Sequence, residues 1–454
     1  MTFSELVENQ RCFFNTNKTK EINFRIEQLK KLKTVLKENE LMLYASIQKD
    51  FKKSEFDTYA SEFLLIYWEI DEAIKKVHRW SKRKRAKTNL VNLPGKSYII
   101  PEPLGVSLII GAWNYPYQIS LAPAVAAIAA GNTVILKPSE ISSETSGTMA
   151  TIINQNFDEN FFKVVEGGIK ETTELLKQDF DKIFFTGSTT VGKIVYEAAA
   201  KNLTPVTLEL GGKNPAIVTR DCQLKKSVKR IVWSKFLNSG QTCIAPDYIL
   251  VDESIKKEFL ELLKKQIEEF NYSFENENYV QIINEKNFNR LIQLIDKENI
   301  YYGGKYNSEK RFIEPTILHN INFSDKIMED EIFGPLLPVI SYRNIDEAIL
   351  KVKSNPKPLA LYIFTNDKKI KNKILNEISF GGGCVNDTIM HISNFYLPFG
   401  GVGASGFGSY HGEAGFKTFS HYKSIFEKPF WFEPNLKFPP YTKTKLNLIK
   451  KFFG

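Results

Sequence analysis

Cysteine is scarce in this chain. Cys12, Cys222, Cys243 and Cys384 are the four in 454 residues, far apart and without a CxxC pair. A disulfide framework and a cysteine-rich zinc site are therefore excluded, no metal is expected, and a reducing, cytoplasmic compartment fits. Long apolar runs are also missing. The longest nearly apolar stretch is Leu121 to Ala130, and Pro123 interrupts it. A spanning helix needs about 20 such residues, so no transmembrane segment is expected. The start, MTFSELVENQ, has no basic region followed by an apolar core, so a secretory signal is not expected either. Hydrophobic residues at 43% and charged residues at 25% exclude collagen-like, low-complexity and disordered classes. At about 150 residues per domain, the length suggests roughly three domains.

Acidic residues are outnumbered, giving a net charge of +9. The excess is local. Arg79, Lys82, Arg83, Lys84, Arg85 and Lys87 form one run without acids. Residues 423–454 carry Lys423, Lys428, Lys437, Lys443, Lys445, Lys450 and Lys451 against Glu427 and Glu433. The remaining chain is near neutral, so no nucleic-acid partner is expected. The stretch 443–454 could form a short basic amphipathic helix on an anionic membrane. A solvated tail that covers a substrate entrance or packs on a partner subunit is the preferred reading, and peripheral membrane contact the lesser one.

Apolar positions Ile22, Ile26, Leu29, Leu32 and Leu36 predict an amphipathic helix over 21–50, and a second follows over 55–80. Pro94-Gly95 between short apolar runs reads as a β-hairpin over 88–103. From residue 104, strands at Val106–Ile110, Thr133–Leu136, Lys163–Val165 and Ile183–Thr186 alternate with helices at 117–130, 142–155, 170–178 and 190–201. That alternation argues for a parallel sheet covered by helices, of the dinucleotide-binding type. A second α/β unit follows Glu209, with helices at 223–238, 254–270 and 285–297 and strands at 248–251, 336–340 and 359–364. Residues 423–454 read as an extended tail.

Gly401 to Gly406 matches GxGxxG, but no clear helix and no suitably placed acid follow it, so it reads as a flexible loop. The segment Ile183 to Lys193 has the better context of strand, glycine turn and helix start. It could offer free N–H groups to a diphosphate, with an ordinary strand-to-helix turn about equally good. Lys137 and Glu140 end a strand at the ligand edge and could bind ribose hydroxyls, or be a solvated pair. Asn114 follows the first strand and could donate to an oxyanion, or simply form a turn. Cys243 sits in a polar glycine-containing turn, which suits a nucleophile better than an inert core thiol. Glu209 lies between two Leu residues in a buried-type strand. Burial would raise its pKa and suit proton transfer, unless it faces outward.

Seven phrases stand in order: PEPLGVSLIIGAWNYP, AAGNTVILKPSE, FFTGSTTVGK, TPVTLELGGKNP, NSGQTC, DEIFGP and PFGGVGASGFGSYHG. Together they resemble the NAD(P)-dependent aldehyde dehydrogenases, nearly continuously from Pro101 to about Tyr422. The phrases GQTCIAPDYIL and LPFGGVGASGFGSYHG resemble the class-3 branch, which acts on fatty and aromatic aldehydes.

The resemblance implies an α/β chain with the aldehyde dehydrogenase-like fold. A Rossmann-type NAD-binding domain would comprise 1–84 and 104–208, and an α/β catalytic domain 209–388. Residues 85–103 and 389–422 would form a small β oligomerisation arm bridging a homodimer, with 423–454 as the tail. It implies Cys243 as nucleophile, Asn114 with the Cys243 N–H as oxyanion donors, and Glu209 as the base that activates water. Trp113, Lys137, Glu140, Gly187, Ser188, Val191, Gly192, Glu331 and Phe333 would hold NAD, with NADP also accommodated. Glu140 would disfavour a 2′-phosphate. The implied reaction oxidises medium- or long-chain aliphatic or aromatic aldehydes to carboxylic acids through a cysteine thiohemiacetal and thioester. A coenzyme-A- or phosphate-dependent relative is disfavoured by Glu209, and a cofactor-free cysteine hydrolase by the lack of a histidine signature near Cys243.

Overall fold

The computed structural model describes residues 1–453. Three sheets organise them, besides a two-stranded ribbon of Tyr306–Asn307 and Phe312–Ile313. The first has six strands in the order Gly406–Phe407, Val206–Glu209, Lys182–Thr186, Val106–Ile110, Thr133–Lys137 and Phe162–Val164. The last five are mutually parallel and Gly406–Phe407 is antiparallel to its neighbour. Both faces of such a sheet are covered, so Val106–Ile110 and Thr133–Lys137 are buried at every position, which explains their mostly apolar sequence. The helix Gln118–Ala130 between them is buried on all sides.

The second sheet has seven strands, ordered Ile300–Tyr302, Thr316–Leu318, Leu336–Tyr342, Tyr248–Asp252, Pro215–Val218, Ala360–Phe364 and Gly382–Val385. Only Ile300–Tyr302 runs antiparallel. The third is an antiparallel sheet of Lys84–Ala86, Lys96–Pro103 and Ser420–Glu427.

Several expectations are corrected. The hairpin does not span 88–103: its first strand is Lys84–Ala86, inside the basic run, and residues 87–95 form the connection. The helix over 21–50 is two, Ile22–Glu38 and Glu40–Phe51, parted at Asn39, whose side chain donates back to the Val35 carbonyl at 2.7 Å. The third predicted helix of the second unit stops at Ile292 rather than 297. The tail is not extended throughout, since a strand continues to Glu427 and a helix spans Lys443–Phe453.

The Gly401–Gly406 segment is packed rather than flexible, and a short helix, Gly412–Thr418, does follow it. Gly406 adopts a φ of 125° and pairs with Glu209. A Cβ there would meet the Leu208 carbonyl oxygen at 1.9 Å, so only glycine lets the two strands close. No helix among the described residues is long and apolar enough to cross a membrane.

Arg25 secures the carboxyl end of the buried helix. Its guanidinium donates to the carbonyls of Ala129 at 3.2 Å, Thr19 at 2.7 Å and Lys20 at 3.0 Å. Burial lowers its pKa to about 10, which leaves it a cation at the helix's negative end. Arg25→Met is expected to cost about 2–4 kcal/mol, since it removes charge-assisted bonds from buried carbonyls. The midpoint of denaturant unfolding measures it, and an unchanged midpoint would refute this role.

Candidate active site

The carboxyl ends of the parallel strands in the first sheet share one edge. Val106–Ile110 lies between Thr133–Lys137 and Lys182–Thr186. The connections leave Val106–Ile110 toward one neighbour and return on its other side, which makes a topological switch point and opens a crevice there. Ala112 and Trp113 line one side of it and Gly187 and Ser188 the other. All four belong to one cavity of about 520 Å³, which also reaches Asn114, Glu209, Cys243, Glu331 and Phe333. Its lining is largely apolar and includes Leu64, Trp68, Ile119, Trp233, Leu237 and Ile392.

Cys243 is held by its loop. After the helix Leu224–Phe236, residues Asn238, Ser239 and Gly240 all take left-handed backbone, with φ of 52°, 53° and 73°. Two of them are not glycine, which costs about 1–3 kcal/mol each and needs fixed surroundings. Asn238 Nδ2 donates to the Asn114 carbonyl at 2.9 Å, and the Ser239 hydroxyl donates to the Val280 carbonyl. Gln241 Nε2 donates to the Gln281 carbonyl at 3.1 Å, while its Oε1 accepts from Ile283 N–H at 3.0 Å. At Gly240 a Cβ would sit 2.3 Å from the Gly334 carbonyl oxygen, so the cysteine loop and the Asp330–Pro335 loop touch through backbone alone. Asn214 then fixes Cys243 itself: its Nδ2 donates to the carbonyls of Cys243 at 2.7 Å and Ala245 at 3.1 Å.

Asn114 is buried and donates one amide hydrogen to the Gln241 carbonyl at 3.1 Å, so its second amide hydrogen remains for another acceptor. Its neighbour Tyr115 hydrogen-bonds the Thr242 hydroxyl at 2.7 Å.

Glu209 ends its strand with 4% of its surface exposed, and neither carboxylate oxygen has a hydrogen-bond partner among the described residues. Burial lifts its pKa well above the usual carboxylate range. The Cys243 thiol is pushed up as well, first by burial and then by the charges of Glu331 and Glu209. Glu331 rises to about 8 through burial and the nearby Asp247 carboxylate, against the pull of a Gly212 backbone bond, Lys213 and Arg290.

Lys213 ties the cavity floor together. It pairs with Asp247 at 2.7 Å and donates to the carbonyls of Ile327 at 2.9 Å and Asp330 at 2.8 Å. A Cβ at Gly211 would come within 2.0 Å of Glu331 Oε2, so the carboxylate rests on bare backbone. Phe333, at a φ of 50°, meets Trp113 edge-on with ring centroids 5.3 Å apart.

The remaining sequence candidates stand apart from the cavity wall. Lys137 is buried and pairs with the half-exposed Glu140 at 2.9 Å, while also donating to the Pro138 carbonyl at 3.0 Å. Val191 is exposed in the first turn of the helix Thr189–Ala200. Gly192 is buried one residue on, where a Cβ would strike the Leu210 side chain at 2.7 Å. Sequence reasoning missed Asn214, Lys213, Tyr115 and Thr242. The first two stand in the GGKNP phrase, where Asn before Pro reads as a turn. No cluster of His, Cys, Asp and Glu among the described residues could hold a metal ion.

The sequence model of the aldehyde dehydrogenase family matches residues 3–425. A 4,4'-diaponeurosporen-aldehyde dehydrogenase of Staphylococcus aureus is 46% identical over 98% of this chain and 98% of its own. A dimeric NADP-preferring aldehyde dehydrogenase of Canis lupus familiaris is 46% identical over 96% of this chain and 97% of its own. Among solved structures, the substrate-bound state of Staphylococcus aureus AldH superposes with a TM-score of 0.97, at 45% identity and covering 99% of both chains.

The burial of Glu209 sets a pH dependence. A carboxyl whose folded pKa is raised stabilises the fold fully only below its unfolded pKa, the ordinary glutamate value of 4.5. That contribution is lost as pH climbs toward the folded value. Glu209→Gln removes the effect. The variant is expected to match the wild type in thermal unfolding at acid pH and to exceed it increasingly from pH 5 to 8. A difference that stays flat across that range would contradict the raised pKa.

Proposed function

The chain belongs to the aldehyde dehydrogenase family, and on that premise we propose how its residues divide the oxidation of an aldehyde to a carboxylic acid with NAD or NADP. Cys243 gives its thiol proton to solvent, and the thiolate Sγ attacks the carbonyl carbon while the carbonyl π electrons move onto oxygen. Asn114 Nδ2 and the Cys243 N–H meet that oxyanion. The oxidised nicotinamide, when bound, accepts the hydride. Cys243 is then a thioester. Glu209 takes a proton from the water that attacks this thioester, and the carbon–sulfur bond breaks to release acid and thiol. The observation that carries this reading is the meeting of Cys243, Asn114 and the unpartnered carboxylate of Glu209 on one cavity.

The crevice fits a dinucleotide by its own geometry. It opens at the switch point of a parallel sheet, and the helix Thr189–Ala200, capped by Ser188, begins at its rim. Gly187 and Ser188 would hold the diphosphate, with Val191 and Gly192 in the turn behind them. Glu331, Phe333 and Trp113 would hold the nicotinamide riboside. Lys137 and Glu140, already paired at the end of the neighbouring strand, would turn to the adenine ribose.

The largely apolar lining supports medium- or long-chain aliphatic or aromatic aldehydes as substrates. The Staphylococcus aureus relative is named for 4,4'-diaponeurosporen-aldehyde. The dog relative named as dimeric supports a homodimer. The three-stranded sheet has a free edge at Ser420–Glu427 and the seven-stranded sheet one at Gly382–Val385, and such edges need covering. We place the tail on the neighbouring subunit. Trp431, Tyr441, Leu446 and Phe452 are exposed in the isolated chain, as is every lysine from Lys443 on except the half-buried Lys445.

Three experiments test these readings. Cys243→Ala is expected to abolish aldehyde oxidation while retaining NAD binding. Glu209→Gln should keep first-turnover formation of reduced nicotinamide and slow steady-state turnover by roughly 100-fold or more. Loss of the first turnover in Glu209→Gln would give that residue an earlier role, and a need for added coenzyme A would overturn the hydrolytic step. Deleting 428–454 is expected to weaken the dimer in sedimentation, with no binding of the full chain to anionic vesicles. Vesicle binding lost on deletion would assign the tail to a membrane surface instead.

A further inference from the structure

We propose that Lys53 and Glu62 are positioning residues for the oxyanion pocket, holding Tyr115, and through it Thr242 and Cys243, from behind the cavity wall. The inference rests on the roles given above to Cys243 and Asn114. Lys53 and Glu62 form an ion pair of 2.8 Å with side chains 1% and 0% exposed. Such a pair is an expensive way to fill a core, because desolvation of both charges offsets their attraction. Apolar residues of the same volume would stabilise the fold as well or better, so packing alone does not account for it.

The remaining contacts of the pair all run toward the site. Glu62 Oε2 accepts from the N–H groups of Tyr117 at 2.8 Å and Gln118 at 3.3 Å, the start of the buried helix Gln118–Ala130. The carboxylate thus meets the positive end of the helix that directly follows Asn114-Tyr115. Glu62 reaches that point from a single π-helical turn, Tyr59–Phe63, an irregularity frequent at functional sites. Lys53 Nζ lies over the Tyr115 ring, 4.4 Å from its centroid, a desolvated cation–π contact. The Tyr115 hydroxyl then bonds the Thr242 hydroxyl at 2.7 Å.

The segment that carries Lys53 is itself anchored. The Asp50 carbonyl accepts from Gln281 Nε2 at 2.9 Å and the Phe51 carbonyl from Gln281 N–H at 3.0 Å. Gln281 in turn accepts from Gln241 in the cysteine loop. Asn114 and Cys243, the two oxyanion donors, are thus each adjacent in sequence to a residue of one buried chain of contacts: Glu62, Lys53, Tyr115, Thr242.

The test compares Lys53→Met, the double variant Lys53→Met/Glu62→Gln, and Tyr115→Phe. Lys53→Met alone leaves a buried carboxylate unpaired and lowers stability. The double variant removes both charges, so its melting temperature returns toward the wild type. If the pair merely supports the fold, activity returns with stability. If it positions the oxyanion donors, the double variant binds NAD within about twofold of the wild type but forms reduced nicotinamide in the first turnover about 10- to 100-fold more slowly. Tyr115→Phe, which keeps the ion pair and the ring, should slow the same step. A wild-type first-turnover rate in the double variant or in Tyr115→Phe overturns the proposal. Should the double variant not fold, Tyr115→Phe decides. Retained activity in Cys243→Ala would instead overturn the nucleophile assignment, whatever the Lys53 variants show.

Discussion

The side chain of Asn214 is the contact on which the site depends. It stands just after the glycine pair that leads from the Glu209 strand into the second sheet. Its oxygen accepts from Ala360 N–H at 2.8 Å, at the start of the strand beside the Gly382–Val385 edge, and its nitrogen reaches the Cys243 and Ala245 carbonyls. One amide therefore sets the nucleophile's backbone relative to strands of the catalytic sheet. The backbone carbonyl of Asn214 accepts from Asp247 N–H at 2.8 Å, so the segment after Cys243 is fixed as well. An Asp or a Leu at this position would keep at most one side of that exchange.

Around this frame the electrostatics is unusual for a folded interior. Glu209, Glu331 and Asp247 crowd a cavity in which Lys213 is already committed to Asp247 and two carbonyls. The charges of Glu331 and Glu209 raise the Cys243 thiol, and Asp247 raises Glu331, on top of the effect of burial, which alone raises Glu209. Such a site favours the protonated forms of all three groups. That suits a reaction that must take one proton from a thiol and another from water at different times.

Much of this was legible in the sequence, for identifiable reasons. Strands buried on both faces, such as Val106–Ile110, are mostly apolar runs and declare themselves. Cys243 and Glu209 stand out as reactive groups in unusual settings, but Glu209 reads as well as an outward-facing strand residue and Asn114 as a turn, so the roles expected of all three come from the family resemblance. Short edge strands were not visible. Lys84–Ala86 pairs with Tyr98 and its neighbours through backbone alone, so its basic side chains carry no strand signal. Asn39 breaks a helix whose apolar spacing continues past it, and periodicity cannot register that. Lys53 and Glu62 look like surface charges in the sequence, because their burial comes from residues that follow in the chain, Tyr115 to Gln118.

The strand Gly406–Phe407 has a consequence for how the molecule is made. It completes the first sheet by closing over the Glu209 strand, yet it follows the entire second sheet in the chain. Ser420–Glu427 likewise waits to pair with Lys96–Pro103. During synthesis the N-terminal sheet must therefore stand with an open edge until almost the whole polypeptide has emerged. Its final closure is a long-range, slow pairing, and nascent or truncated chains present that edge to one another. The Glu209 carboxylate is sealed in its apolar setting only at that last step, so the acid–base role proposed for it would arrive together with completed folding.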